Sequence, residues 1–267
     1  MAATPDHLWL ELTSLCQIQC GHCRAEAGPQ GSHGTMELFD WLGVIAQAAK
    51  AGVRQVRFTG GEPTQHPHFG NLVYQALNAG LEVEVHSNLV HIPEKVWTVL
   101  CHPRVKLATS FYSDDPTQHA RITGGSATWH HTLRNIERAL MYGIPLRVVM
   151  ARVLERQRLD EGRKLLTELG VDRIDIEPVR GLGRAAGRAA PDVNQLCGEC
   201  GLRAAAVLPN GEATPCPLAR WMRGLDVRDV GLAAALEAMR PHREYIAANV
   251  PPATTCGPAG EVAAASR

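Results

Sequence analysis

Apolar runs rich in branched side chains alternate with amphipathic stretches along the first 178 residues. The runs predict six strands, at about 8–14, 53–58, 81–88, 105–111, 145–153 and 171–178. The apolar spacing between them predicts five helices, at about 36–51, 71–80, 92–100, 132–143 and 159–170. Strands that alternate with helices are typical of parallel sheets with right-handed crossovers. Because six units are too few to close an eight-stranded barrel, we predict an α/β fold, an open partial (β/α)6 TIM-like barrel.

The sequence changes character after residue 178. The stretch VRGLGRAAGRAAPD is rich in Gly, Ala and Arg and indicates a linker. The remainder has a single hairpin signal, with a turn at Asn210-Gly211. We therefore predict a barrel domain at 1–180, a linker at 181–194 and a small cysteine-rich domain at 195–267.

Charge and composition exclude several classes of function. The 267 residues include 27 basic and 27 acidic side chains and no basic run, so nucleic acid is not an expected partner. There is no signal peptide and no apolar stretch long enough for a membrane span, which predicts a cytoplasmic protein. Eight cysteines in such a compartment indicate metal binding or redox chemistry rather than disulfides.

Three of these cysteines follow the first predicted strand, in ELTSLCQIQCGHC: Cys16, Cys20 and Cys23. A closed zinc site takes four ligands, so three thiolates indicate a metal centre with one position open. This CxxxCxxC spacing at the mouth of a barrel resembles the radical S-adenosylmethionine (SAM) superfamily. The resemblance implies that the three cysteines hold a [4Fe–4S] cluster whose free iron chelates SAM. It further implies reductive cleavage of SAM to a 5′-deoxyadenosyl radical, which abstracts a hydrogen atom from the substrate.

Other residues extend the resemblance. Gly60-Gly61-Glu62-Pro63 follows the second strand, and the resemblance implies that this turn binds the SAM ammonium, with Glu62 as a carboxylate partner. Asn88 and Ser110 end the third and fourth strands and are expected to contact SAM. His22 stands where the family often has an aromatic residue that packs on adenine. Its imidazole can stack there or donate a hydrogen bond to the cluster.

The C-terminal cysteines form a second group: Cys197, Cys200, Cys216 and Cys256. The Cys…Gly-x4-Cys spacing that ends at Cys216 resembles the opening of SPASM and twitch domains, and the small number of cysteines resembles the shorter twitch form. This implies an auxiliary [4Fe–4S] cluster, with either Cys197 or Cys200 opening the motif. A CxxC pair with two distant cysteines is also a zinc pattern, so zinc stays an alternative. Cys101 is predicted to be a buried apolar filler.

The resemblance covers nearly the whole chain and predicts a radical SAM enzyme. Relatives with such C-terminal domains mostly modify ribosomally synthesised peptides in natural-product maturation, by crosslinking, epimerisation or oxidation, and we predict this function. The alternative is a twitch-type dehydrogenase of a small sugar or aminocyclitol alcohol, and a redox sensor or cluster scaffold is a third hypothesis. An external electron donor such as a flavodoxin or ferredoxin is implied. Because the first strand begins by about residue 8, a leader peptide would need a separate binding protein.

Overall fold

The computed structural model describes residues 4–252. Eight strands form one sheet: β1 (His7–Glu11), β2 (Gln55–Thr59), β3 (Glu82–His86), β4 (Val105–Ser110), β5 (Leu146–Arg152), β6 (Arg173–Pro178), β7 (Ala204–Val207) and β8 (Ala213–Thr214). Their order is β6-β5-β4-β3-β2-β1-β7-β8. All neighbours from β6 to β7 pair in parallel, and β8 pairs antiparallel to β7. The predicted α/β fold with an open partial barrel is confirmed.

The helices of the described residues fill the crossovers and the C-terminal region: α1 (Leu38–Lys50), α2 (Phe69–Asn78), α3 (Glu94–Leu100), α4 (Pro116–Thr123), α5 (Thr128–Met141), α6 (Leu159–Glu168), α7 (Val227–Val230), α8 (Leu232–Ala238) and α9 (Arg240–Asn249). The sequence did not predict α4. Asp115 caps this helix, since its Oδ1 accepts a hydrogen bond of 2.8 Å from the amide of Gln118. Among residues 4–252, no helix has the length and apolarity needed to cross a membrane.

Alternation along the strands separates a helix-facing side from an inner side. Leu8 and Leu10 of β1 are fully buried in the main core, together with Phe58 of β2. Since side chains alternate along a strand, Trp9 and Glu11 point to the opposite, inner side of the sheet. The carboxyl ends of the parallel strands thus present polar side chains to the interior of the barrel.

The C-terminal region continues this sheet and adds a second, smaller core. Strand β7 pairs with β1 in register Trp9↔Ala206, so the hairpin extends the barrel sheet beyond its first strand. The turn of the hairpin holds Gly211 at φ +88°, a conformation that favours glycine. The second core is formed mainly by Leu196, Cys197, Cys200, Cys216, Ala219, Met222, Ile246 and Val250.

Candidate active site

The three N-terminal cysteines lie in the long loop between β1 and α1, at the carboxyl end of the sheet. The loop folds back on itself through backbone bonds from Cys16 N to Gly28 O (3.1 Å) and from Gly28 N to Ser14 O (3.2 Å). Cys16 is buried, Cys20 and Cys23 are half-buried, and all three are free thiols. Their side chains share a small apolar cluster with Ile18, Ala25 and Ala27.

The environment of these thiols suits a positively charged partner. Burial raises the pKa of Cys16 to about 12, and the neighbouring charges of Glu62 and Cys23 add to this effect. Burial likewise raises the pKa of Cys20 to about 12, helped by the other two thiolates. Three thiolates in one dry pocket repel each other unless iron neutralises them, so the donor set fits an iron–sulfur cluster.

No set of three His, Cys, Asp or Glu side chains within residues 4–252 is placed to hold one metal ion. A cluster does not require such a set, because each thiolate ligates a different iron.

The two glycines of the GGEP turn allow the cysteine loop to pass close to β2. A Cβ on Gly60 would lie 2.5 Å from the carbonyl oxygen of Thr13, and one on Gly61 would lie 2.2 Å from that of Leu15. The turn also donates to the loop, from Gly61 N to Thr13 O (2.6 Å) and from Glu62 N to Leu15 O (2.8 Å). The glycines therefore fix the position of the loop that carries the cysteines.

The carboxylate of Glu62 is fully buried and braces the end of β3. Its Oε1 accepts from Thr64 Oγ1 (2.7 Å) and Ser87 Oγ (2.9 Å), and its Oε2 accepts from Asn88 N (2.8 Å). Burial raises the pKa of Glu62, while these hydrogen bonds oppose the shift. With its oxygens engaged in this way, the carboxylate positions the turn at 87–88, and its predicted contact with SAM stays a prediction.

Asn88 links β3 to the cysteine loop. Its Nδ2 donates to Cys16 Sγ at 3.5 Å, and its Oδ1 accepts from Gln17 Nε2 at 2.9 Å. Gln65, just after the GGEP turn, donates to Gln17 Oε1 at 3.0 Å. Asn88 was a predicted SAM contact, and the structure places it beside the first cysteine. The roles of Gln17 and Gln65 were not predicted, although both adjoin recognised motifs.

His22 and Ser110 meet through a residue that sequence reasoning missed. His22 Nε2 lies 3.1 Å from the hydroxyl of Tyr112, and the phenol also interacts with Ser110 at the end of β4. Burial lowers the pKa of His22 to about 4, assisted by the positive charge of Arg184. Burial, with the nearby thiolate of Cys20, raises the pKa of Tyr112 above its usual range. Both rings are thus neutral at pH 7. The position of Tyr112, directly after the predicted strand at 105–111, was the sequence feature that could have identified it as a site residue.

The C-terminal cysteines also come together. Cys200 Sγ lies 3.8 Å from Cys197 Sγ and 3.2 Å from Cys216 Sγ, and all three are buried. Cys256, the fourth predicted ligand, lies outside the described residues. The prediction for Cys101 was wrong: it is exposed at the end of α3. Because α3 leads into the amino end of β4, Cys101 lies at the end of the sheet opposite the cysteine loop.

A partial barrel that gathers three thiols at the carboxyl ends of its strands fits an enzyme that depends on an iron–sulfur cluster. The sequence profile of the radical SAM superfamily matches residues 10–176. The chain therefore belongs to the radical SAM superfamily and is an enzyme that uses a [4Fe–4S] cluster and SAM.

Two curated relatives show what else the chain resembles. The PqqA peptide cyclase of Bradyrhizobium diazoefficiens is 29% identical over 203 residues, which cover 72% of this chain and 52% of the relative. The probable GTP 3′,8-cyclase of Methanosarcina mazei is 28% identical over 164 residues, which cover 58% of this chain and 48% of the relative. The chain thus spans about half the length of the curated relatives it matches.

Solved structures share the fold at low sequence identity. The structure of native anSMEcpe with bound AdoMet has a TM-score of 0.68 at 14% identity, covering 88% of this chain and 81% of that one. Streptococcus suis SuiB bound to its precursor peptide SuiA has a TM-score of 0.68 at 15% identity, covering 80% of this chain and 60% of that one. Both matches support the partial barrel.

Proposed function

We propose that this radical SAM enzyme modifies a ribosomally synthesised peptide. The match to the PqqA peptide cyclase carries the proposal, because it covers 72% of the chain and so includes residues outside the family match at 10–176. The peptide bound to SuiB is consistent with it, since SuiB shares the fold. The reaction on the peptide is a crosslink, an epimerisation or an oxidation.

Cys16, Cys20 and Cys23 are the residues that would hold the cluster. When bound, the cluster and SAM supply the 5′-deoxyadenosyl radical that abstracts a hydrogen atom. Asn88, just after β3, lies beside Cys16, and Ser110, at the end of β4, contacts Tyr112. His22 and Tyr112 form an uncharged aromatic wall there, because burial keeps both rings neutral. Gly60 and Gly61 hold the cysteine loop against β2, and Glu62 holds Asn88 in place.

The inner side of the barrel offers a polar site for the substrate. Trp9 contacts His86, with ring centroids 4.5 Å apart and the ring planes tilted by 55°. Two residues earlier on β3, Glu84 pairs with Arg57 at 2.9 Å and Arg147 at 3.3 Å. Glu11 lies nearer the cysteine loop, and its buried Oε2 has no hydrogen-bond partner among the described residues.

The C-terminal cysteines are assigned to an auxiliary [4Fe–4S] cluster in a domain at 195–267. Residues 205–239 share the sheet and much of the main core with the barrel, but the residues around Cys197, Cys200 and Cys216 form a smaller apolar core of their own, which supports a separate cluster site. A second cluster next to the barrel would accept the electron left after hydrogen abstraction, which suits a net oxidation. Zinc in the same cysteines would leave that electron without an acceptor.

The test begins with a search beside the gene for a reading frame that encodes a short peptide, and pairs the enzyme with the peptide found there. The anaerobically reconstituted full chain is incubated with SAM, dithionite and that peptide, and both 5′-deoxyadenosine and the peptide mass are followed. We expect 5′-deoxyadenosine together with a loss of hydrogen from the peptide, or deuterium uptake from D2O for an epimerisation. The C20A variant is the matched control and should give neither. An unaltered peptide alongside conversion of a sugar or aminocyclitol alcohol would overturn the peptide assignment.

A further inference from the structure

The segment predicted as a linker packs directly on the cysteine loop. Its short 3-10 helix, Gly183–Ala186, begins at a glycine with φ +55°. A Cβ on Gly183 would lie 2.5 Å from the carbonyl oxygens of both Cys23 and Arg24. The next amide, Arg184 N, donates to Cys23 O at 3.1 Å. The backbone of this helix is therefore in direct contact with the backbone of the cysteine loop, and only glycine allows so close an approach at residue 183.

The side chain of Arg184 bridges two parts of the same loop. Its Nε donates to Cys20 O at 2.8 Å, and its Nη2 donates to Ala27 O at 2.7 Å. Both acceptors are backbone carbonyls, so these bonds leave the positive charge of the guanidinium intact. The side chain is only half-buried, yet its charge lies close enough to Cys20 to lower the pKa of that thiol against the effect of burial.

We propose that Arg184 is a positioning residue that fixes the cysteine loop and, through its charge beside Cys20, raises the reduction potential of the N-terminal cluster. Reduction adds one negative charge to the cluster. A fixed positive charge in a partly dry pocket favours the more negative state. The hydrogen bonds from Arg184 to the cysteine loop also fix the orientation of the thiolate ligands, as hydrogen bonds around metal sites commonly do. The proposal rests on the assignment of Cys16, Cys20 and Cys23 as cluster ligands.

The test is an EPR-monitored redox titration of the reconstituted full-length protein, with and without SAM. The signal that changes when SAM is added identifies the N-terminal cluster. Four proteins are compared: wild type, R184Q, R184K and the control R188Q, which removes an exposed arginine four residues further along. We expect a more negative midpoint potential for R184Q, and a potential close to wild type for R184K and R188Q.

A loaded R184Q cluster with the wild-type potential would overturn the proposal, and so would an equal shift in R188Q. If R184Q fails to bind iron while R188Q binds it fully, R184M, which also removes the charge, is compared with R184K to test the electrostatic part. A more negative potential in R184M than in R184K supports the proposal, and equal potentials overturn it. C20A separates this result from the ligand assignment, since a SAM-responsive signal in C20A would show that the ligand assignment itself is wrong.

Discussion

Arg220 of the C-terminal region forms an ion pair with Glu11 at the end of β1, across 209 residues of sequence. The Glu11 side chain is fully buried, whereas that of Arg220 is 28% exposed. The pair therefore fastens the C-terminal region to the inner side of the barrel, close to the cysteine loop.

Removing Arg220 is expected to destabilise the protein. The R220M variant leaves a buried carboxylate without its counter-charge, which typically costs about 3–5 kcal/mol of unfolding free energy. The double variant E11M/R220M should recover most of this loss, because two apolar side chains replace the pair. Denaturant unfolding of the apo-protein measures both.

R223M is the matched control for this prediction. Arg223 makes a surface ion pair with Glu212 at 3.2 Å, and its side chain is 63% exposed. Such pairs contribute about 0–1 kcal/mol. Equal losses in R220M and R223M would contradict a special role for the Glu11 pair.

Each N-terminal cysteine is expected to be indispensable for the cluster. C16A, C20A and C23A should each lose the SAM-responsive iron and form no 5′-deoxyadenosine, because a cluster with a missing thiolate is not held. C101A is the control, since Cys101 is exposed at the opposite end of the sheet. Iron analysis and chromatography of 5′-deoxyadenosine report the result. SAM cleavage that persists in any of the three variants would contradict the assignment.

Replacing Cys216 is expected to stop formation of the modified peptide without stopping SAM cleavage. C216A should lower the iron content by about the four atoms of one cluster while uncoupled 5′-deoxyadenosine formation continues. Modified peptide should disappear if the auxiliary cluster accepts the electron. Iron, sulfide and zinc analysis of the wild type decides the metal. Zinc lost from C216A, with the iron content unchanged, would make this site structural.

The sequence predicted the parts of the fold and of the site that depend on residues close together in the chain. The strands follow from alternation and branched residues, and the cysteine loop follows from its spacing. Helix α4 was missed because only three of its residues are buried, His119, Ile122 and Thr123, so it has little apolar pattern. The contacts of Arg184 and Arg220 were missed for another reason. Their partners lie 157–209 residues away, and no local pattern encodes a contact of that range.

Alanine at Gly61 is expected to displace the cysteine loop. The added Cβ would meet the carbonyl oxygen of Leu15 at 2.2 Å, so the backbone must shift. Overpacking of this kind costs roughly 1–3 kcal/mol, and iron loading should fall with it. G43A is the control: in α1 the added Cβ meets nothing within 4 Å. Alanine there should stabilise the helix by about 0.5–1 kcal/mol. Normal iron loading in G61A would show that the close approach is not needed.

His119 is expected to make the protein sensitive to mild acid. Burial lowers the pKa of this histidine from 6.5 to about 4, and its Nδ1 has no hydrogen-bond partner among the described residues. Its ring packs on Phe111 and Tyr112, with centroids 5.0 and 5.4 Å away. Above pH 6.5 the imidazole is neutral in both the folded and the unfolded chain. Between pH 6.5 and 4 the unfolded chain binds the extra proton, so the free energy of unfolding falls as the pH falls.

A pKa lowered from 6.5 to about 4 corresponds to roughly 3 kcal/mol lost across that range. His7, His22 and His66, whose pKa values burial also lowers to about 4, contribute in the same direction. H119L should therefore flatten the decline without abolishing it, because leucine keeps the apolar contacts and cannot bind a proton. Denaturant unfolding of the apo-protein at pH 7.5, 6 and 5 measures the slope, and H130L, at an exposed position on α5, is the control. A slope in H119L as steep as in the wild type would mean that His119 takes up no extra proton on unfolding.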